Sequence, residues 1–194
     1  LTQFSARLNE ARLFERARVT LSETPSAITE EGDEVRDVLV MLDDLPRNRV
    51  GFGFRLETDT GFGLTADILR RNLTRRGDFL EASLDLAAPF QTLDLLWRRP
   101  HVNRYGRGMQ VSASAENAKT DAFDRRLFGL SASYDIIHDP HFSYGYGVSG
   151  AFSSEQDAFT RIAFATGRRD VQTASGFASA NWDFSDNLLN PKTG

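Results

Sequence analysis

From Pro46 onward the chain alternates apolar and polar residues almost without interruption, and few folds tolerate that pattern. Successive side chains of a β-strand point to opposite faces, so each alternating run describes a strand with one greasy and one wet side. Val50, Phe52, Phe54 and Leu56 alternate with Gly51, Gly53, Arg55 and Glu57. Thr58-Asp59-Thr60-Gly61 reads as a tight turn, after which Leu64, Ala66 and Ile68 alternate with Thr65 and Asp67. Asn72 to Asp78 is a polar turn containing glycine. Leu80, Ala82, Leu84 and Leu86 alternate with Glu81, Ser83 and Asp85, and a turn falls at Pro89. Leu93, Leu95 and Trp97 face away from Asp94 and Arg98. The same texture returns at Val111 to Ala115, Phe128 to Tyr134, Phe142 to Val148 and Ala174 to Trp182. The pattern predicts about eight strands of roughly ten residues each, joined as hairpins.

A tilted strand of that length crosses a bilayer. The wet sides carry Glu, Asp, Arg and Ser, which a water-filled lumen accepts, and the greasy sides carry Leu, Ala, Val, Phe and Tyr, which lipid accepts. Aromatic residues recur near strand ends, at Phe62, Phe79, Trp97, Phe142, Trp182 and Phe184, as in an interfacial girdle. Mean hydropathy is only -0.38, but alternation keeps that average low in any membrane barrel. No apolar run approaches the ~20 residues of a spanning helix. The expected fold is therefore mainly β, an antiparallel transmembrane β-barrel portion over residues 46–194. A soluble antiparallel sheet with one wet face is the competing reading, which alternation alone leaves open.

Residues 1–45 have a different texture. Leu1, Phe4, Leu8 and Ala11 share a helical face, which predicts an amphipathic helix from Thr2 to about Leu13. Ala17 to Leu21 predicts a strand, Thr24 to Asp33 a loop, and Glu34 to Leu42 a second strand. Val38, Val40 and Leu42 lie on one side of that strand with Leu39 and Met41 on the other, as in a strand covered on both faces. The chain begins at Leu1 with neither an initiator Met nor a signal peptide, so processing or truncation is expected to have removed what came before.

Several chemistries lack their parts. There is no cysteine, hence no disulfide or thiolate metal site. A net charge of -4 argues against a dedicated nucleic-acid binder. His138 and His141 have only His101 as a third histidine, too little for a zinc site. Gly51-x-Gly53 and Gly61-x-Gly63 are not followed by a helix, so the dinucleotide fingerprint lacks its context and no cofactor is expected. Arg70-Arg71, Arg75-Arg76, Arg98-Arg99 and Arg168-Arg169 read as solvated rim charge or partners of lipid phosphate. No Gly-x-Ser-x-Gly elbow is present, and no catalytic residue is expected.

Three stretches together resemble the BamA/TamA family of outer-membrane insertases. Leu8-Asn-Glu-Ala-Arg-Leu-Phe-Glu-Arg-Ala-Arg-Val-Thr-Leu21 is similar to the helix-to-strand passage of a polypeptide-transport-associated (POTRA) domain, although Arg12 stands where a glycine is common. Val50-Gly-Phe-Gly-Phe-Arg-Leu-Glu-Thr-Asp-Thr-Gly61 is similar to the first barrel strand and first hairpin turn, and Asn72 to Asp78 resembles the next, periplasmic turn. Ala88-Pro-Phe-Gln-Thr-Leu-Asp94 looks closest to the TamA branch. Asn190-Pro-Lys-Thr-Gly194 resembles the Asn-Pro-Thr-x-Gly turn after the eighth barrel strand.

The resemblance implies a fragment: residues 1–45 as the C-terminal part of a POTRA domain, residues 46–194 as the N-terminal half of a barrel of roughly sixteen strands. It implies a non-enzymatic outer-membrane protein with its N-terminal part in the periplasm. Such a protein inserts client β-barrel proteins through strand pairing at a lateral gate. Val50, Gly51, Phe52, Gly53, Phe54, Arg55 and Leu56 would form the gating strand. Thr58, Asp59, Thr60 and Gly61 would form the first hairpin turn, and Asn190, Pro191 and Gly194 a periplasmic turn. Implied partners are outer-membrane lipid, client barrels and, in the TamA branch, a TamB-like inner-membrane-anchored protein. A two-partner secretion pore and the barrel part of a patatin-type lipase share much of this architecture and stay open as alternatives.

Overall fold

The structure is a computed structural model that describes residues 13–29, 33–58, 60–139, 141–164 and 167–184. The chain divides between Arg47 and Asn48 into two compact units.

In the first unit β1 (Phe14–Leu21) pairs antiparallel with β4 (Val38–Asp44), with Val19 opposite Val40. The helix expected over Thr2 to about Leu13 lies outside the described residues, Leu13 apart, which is not helical. Three expectations need correction. The stretch read as a loop contains β2 (Ala27–Ile28), which pairs with β3 (Glu34–Val35). The strand expected from Glu34 to Leu42 is broken at Arg36 and Asp37. Arg36 turns there to bond the Glu34 carboxylate at 2.7 Å and the Ser22 and Glu23 carbonyls. Finally, β4 is exposed along its whole length rather than covered on both faces. A two-stranded ribbon has two open sides, and β4 pairs with β1 alone.

The second unit is an antiparallel meander of eight strands in sequence order. These are β5 (Asn48–Glu57), β6 (Gly61–Arg71), β7 (Phe79–Ala87), β8 (Phe90–Arg99), β9 (Arg107–Lys119), β10 (Phe123–Asp139), β11 (Phe142–Asp157) and β12 (Arg169–Trp182). A six-residue helix, α1 (Ala158–Ala163), interrupts the β11–β12 link. Register carries the alternation across the whole sheet. The row Phe52–Ala66–Leu84–Leu93–Ala115–Phe128–Phe152 is apolar, whereas its neighbour on the other face, Gly51–Asp67–Ser83–Asp94–Ser114–Gly129–Ala151, is small and polar. A slip of one residue at any pair would put greasy side chains among wet ones, so this pattern specifies the register strongly.

Strands β9 to β12 run to 13, 17, 16 and 14 residues, longer than the ten expected. Their surplus lies beyond the apolar stretch: on the greasy face Phe152 gives way to Ser154 and Gln156, and Ala174 to Gln172 and Asp170. Backbone pairing thus continues past the point where hydrophobic patterning stops.

Packing inverts the usual globular order. Among the described residues the buried hydrophobics are Leu69, Ala87 and Ala118, and register puts all three on the polar face. The greasy face is exposed instead, from Phe52 and Phe54 through Leu64, Ile68, Leu93, Leu95, Phe128 and Leu130 to Tyr146, Val148 and Trp182. Water-soluble monomers rarely expose contiguous apolar patches beyond a few hundred Å². No second layer of protein covers these strands among the described residues.

Candidate functional site

The expected gating strand is β5, and its position is an edge. It pairs with β6 and with no other described strand, from Asn48 opposite Arg70 to Glu57 opposite Gly61. One side of its backbone therefore has no strand partner among the described residues. Val50, Phe52, Phe54 and Leu56 point to the greasy face, with Phe52 84% and Phe54 82% exposed. Of the expected turn, Gly61 has φ of 73°, a left-handed conformation that suits glycine, and Thr60 Oγ1 donates to the Glu57 carboxylate. Asp59 lies outside the described residues, as do Asn190, Pro191 and Gly194.

The polar face of β5 explains its glycines. A side chain at Gly51 would collide with the Asp67 carboxylate, and one at Gly53 would come within 2.6 Å of Thr65 Oγ1. The glycines thus make room for β6 side chains that lie over the edge strand. Gly63 works the same way one strand further in. Arg55 lies across it, with Nε 3.1 Å from where a Cβ would stand, and reaches Asp85 on β7. The pair is bidentate, at 2.6 and 3.0 Å. Arg55 Nε is also 3.4 Å from Glu57, and Arg49 Nε is 4.0 Å from Asp67. A cavity of about 610 Å³ lies against this face, with Arg49, Gly51, Asp67, Glu81 and Asp94 in its wall. Further along, Arg125 pairs with Glu116 and Arg169 with Glu155. Partial exposure makes each such pair worth little alone, and together they form a wet, charge-balanced surface.

Two turns are built around acids that strand alternation does not single out. Asp78, which closes the β6–β7 turn, is fully buried and accepts from the Thr74 N–H at 2.9 Å and the Trp97 indole N–H at 2.9 Å. Burial pushes its pKa up, but these hydrogen bonds together outweigh burial and hold it below the ordinary carboxylate range. Asn72, Arg75 and Gly77 all take positive φ there, so the turn is tightly wound. Asp157 caps α1: it accepts from the Thr160 N–H at 2.7 Å, and Thr160 Oγ1 accepts from the Asp157 N–H at 2.7 Å. The Thr160 backbone bond, above all, lowers the Asp157 pKa. The Asp-x-x-Thr spacing is the signal in the sequence that could have found this helix.

The greasy stretch varies in length along the sheet. On β11 it runs from Phe142 to Phe152 without a charged side chain, on β5 from Val50 to Leu56, and on β8 only from Leu93 to Trp97, between Gln91 and Arg99. At ~3.4 Å per residue these spans are about 34, 20 and 14 Å along the strand. Aromatic residues gather where β10 to β12 meet the β10–β11 link. Phe142 stacks with Tyr144, Trp182 lies 5.0 Å from Phe142, and Phe184 stacks on Trp182. Phe79, expected in such a girdle, belongs instead to the polar-face row of Arg71 and Arg98, because its position in β7 has the opposite parity. His101 stacks on Tyr105, His138 lies edge-on to Phe142, and His141 Nδ1 is 3.2 Å from the Asp183 carbonyl. Among the described residues no three His, Asp or Glu converge as a metal site would require.

No family model and no curated protein matches the chain. Among solved structures it is similar to the crystal structure of BamA from Haemophilus ducreyi lacking POTRA domains 1-3. The TM-score is 0.63 at 15% sequence identity, over the whole of this chain and 40% of that one. The fold is that of a BamA barrel portion: a mainly β chain with an eight-stranded antiparallel sheet and small N-terminal sheets.

Proposed function

We propose that this chain belongs to an outer-membrane β-barrel that assembles and inserts other outer-membrane proteins. The observation that carries the proposal is the pairing of two features in one sheet: an apolar face exposed on seven of the eight strands and half-buried on β9, and an edge strand, β5, that pairs with β6 alone among the described residues. Hydrocarbon is the medium in which such a face is stable. In that medium an unpaired strand edge is costly, so an incoming strand that completes the ladder is strongly drawn to it. The short greasy stretch on β5 supports this reading, because a thin apolar band strains the bilayer at the edge where a client would enter.

On this reading residues 46–194 are the first half of a barrel and residues 1–45 the end of a POTRA domain on the periplasmic side. The protein acts without enzymatic chemistry. Its partners are membrane lipid and client barrels. Assignment to the TamA branch, with a TamB-like partner, rests on the Ala88 to Asp94 stretch. Gly51 and Gly53 keep side-chain bulk off the polar face of the gating strand, and Val50 to Leu56 present it to lipid.

A tether tests the mechanism. The chain has no cysteine, so Phe52→Cys places a lone thiol in this part of the protein, to be paired with a cysteine on the closing strand of the complete protein. Oxidation should suppress insertion of a client barrel by at least about tenfold, with recovery on reduction. Undiminished insertion with the disulfide fully formed overturns strand pairing at β5.

A further inference from the structure

The greasy face of the sheet has a border, and one depression straddles it. The apolar row Leu84–Leu93–Ala115–Phe128 crosses β7 to β10. The next row toward the β7–β8 and β9–β10 links is Leu86–Gln91–Asn117–Arg126, where hydrophobic side chains give way to amides and a cation. Ala115 is small beside Leu93 and Phe128 and leaves a trench. That trench is a cavity of about 480 Å³ with Leu84, Leu93 and Ala115 as its apolar floor and Gln91, Asn117 and Arg126 at its rim; Thr92 and Glu116 complete the wall, and the Glu116 carboxylate is engaged by Arg125.

The rim is preset for an anion. Asn117 Nδ2 donates to Gln91 Oε1 at 3.1 Å, which orients both amides and leaves the Gln91 NH₂ pointing away from the pair. Arg126 is exposed and has no ion-pair partner among the described residues. Asp124, the acid two residues before it on the same face, is engaged by Arg168 at 3.4 Å. A guanidinium presents a planar fork of donors that matches phosphate oxygens. Below it lies the hydrocarbon of Leu84, Leu93 and Ala115.

We infer that this trench binds a phosphorylated membrane lipid, its acyl chain laid over Ala115 between Leu93 and Leu84 and its phosphate held by Arg126 and the Gln91 amide. The inference rests on the reading that this face meets lipid, and goes beyond it by naming a lipid site at the border of the apolar band. The two parts of the ligand follow from the two parts of the site. Neither a free phosphate nor an uncharged amphiphile uses both.

The test is lipid retention by the protein purified in detergent, read by native mass spectrometry after incubation with phosphatidylglycerol. The wild type should keep a bound phosphatidylglycerol. Arg126→Gln, which removes the charge, should lower retention at least about tenfold. Ala115→Trp, which fills the trench and keeps the charge, should do the same. Glycerol 3-phosphate, the headgroup fragment without chains, should not be retained; retention equal to that of the lipid overturns the lipid assignment in favour of a bare anion site. Unchanged phosphatidylglycerol retention in both variants also overturns it. Quenching of Trp97 by brominated lipid chains, in a Trp182→Phe background, distinguishes failure of the trench from failure of the membrane reading. Quenching without phosphatidylglycerol retention removes the trench and leaves the lipid-facing sheet standing, whereas no quenching removes both.

Discussion

At the scale of single residues, glycine positions show where one strand's side chains occupy its neighbour's space. Gly147 would place a Cβ 2.6 Å from the Ala132 carbonyl oxygen, which is backbone and cannot rotate away, and against the Phe177 ring. At Gly51 the three nearest atoms a Cβ would meet all belong to the Asp67 carboxylate, which can swing aside at the cost of its pair with Arg49. Gly147→Ala should therefore destabilise the sheet by about 1–3 kcal/mol, and Gly51→Ala by less, in urea unfolding of the detergent-solubilised protein. Equal losses would mean that close approach is not what these glycines serve. Asp78 makes a second prediction. Its folded pKa is depressed, so its contribution is present above the unfolded carboxylate pKa and is lost only as pH falls through the lower folded value. The Trp97 indole N–H, followed by NMR, should stay hydrogen-bonded through the ordinary carboxylate range and release below it. Asp78→Asn should abolish that acid transition and cost about 1–2 kcal/mol, since a buried charged acceptor serving two part-buried hydrogen bonds is lost. An indole signal that titrates unchanged in the variant would assign the transition elsewhere.

At the scale of elements, strands and links obey different rules. The strands follow two-residue periodicity, and alternation alone assigns Phe52, Leu84 and Leu130 to the greasy face. Links follow local hydrogen bonding, which periodicity does not report. The β11–β12 link folds into α1 because Asp157 and Thr160 satisfy each other's backbone N–H groups. Asp157→Ala should remove about 1 kcal/mol of local stability and raise hydrogen exchange in α1, while exchange in β11 and β12 stays unchanged. Faster exchange throughout both strands would make the cap part of the sheet rather than of the link. The break between β3 and β4 is invisible to periodicity for the same reason: Arg36 leaves the strand to satisfy carbonyls of Ser22 and Glu23, a contact across fourteen residues.

At the scale of the whole molecule, the distribution of burial decides which solvent the sheet requires. Hydrophobic burial normally drives folding in water, and here apolar side chains on seven of the eight strands are left outside. The chain purified in buffer should aggregate, and detergent should be required for a β-type circular dichroism spectrum. A soluble, well-folded monomer without detergent would refute the membrane reading and, with it, proposed insertion at β5. The proposed gate and the lipid trench lie on the same greasy face but on different strands, so the Phe52 tether and the Arg126 variant should act independently.

Two-residue periodicity was enough to give the number of strands in the main sheet and which of their residues share a face. Those properties depend on alternation within each strand, which is local. Tertiary structure alone decided that β5 lies at an edge, that Arg55 crosses Gly63 to reach Asp85, that Trp97 serves Asp78, and that Ala115 opens a trench beside Arg126. The first depends on strand order, and the others on which residues of neighbouring strands stand opposite one another. Alternation selects the face a residue joins, whereas its cross-strand neighbours come from separate stretches of sequence and are set only when the strands pair.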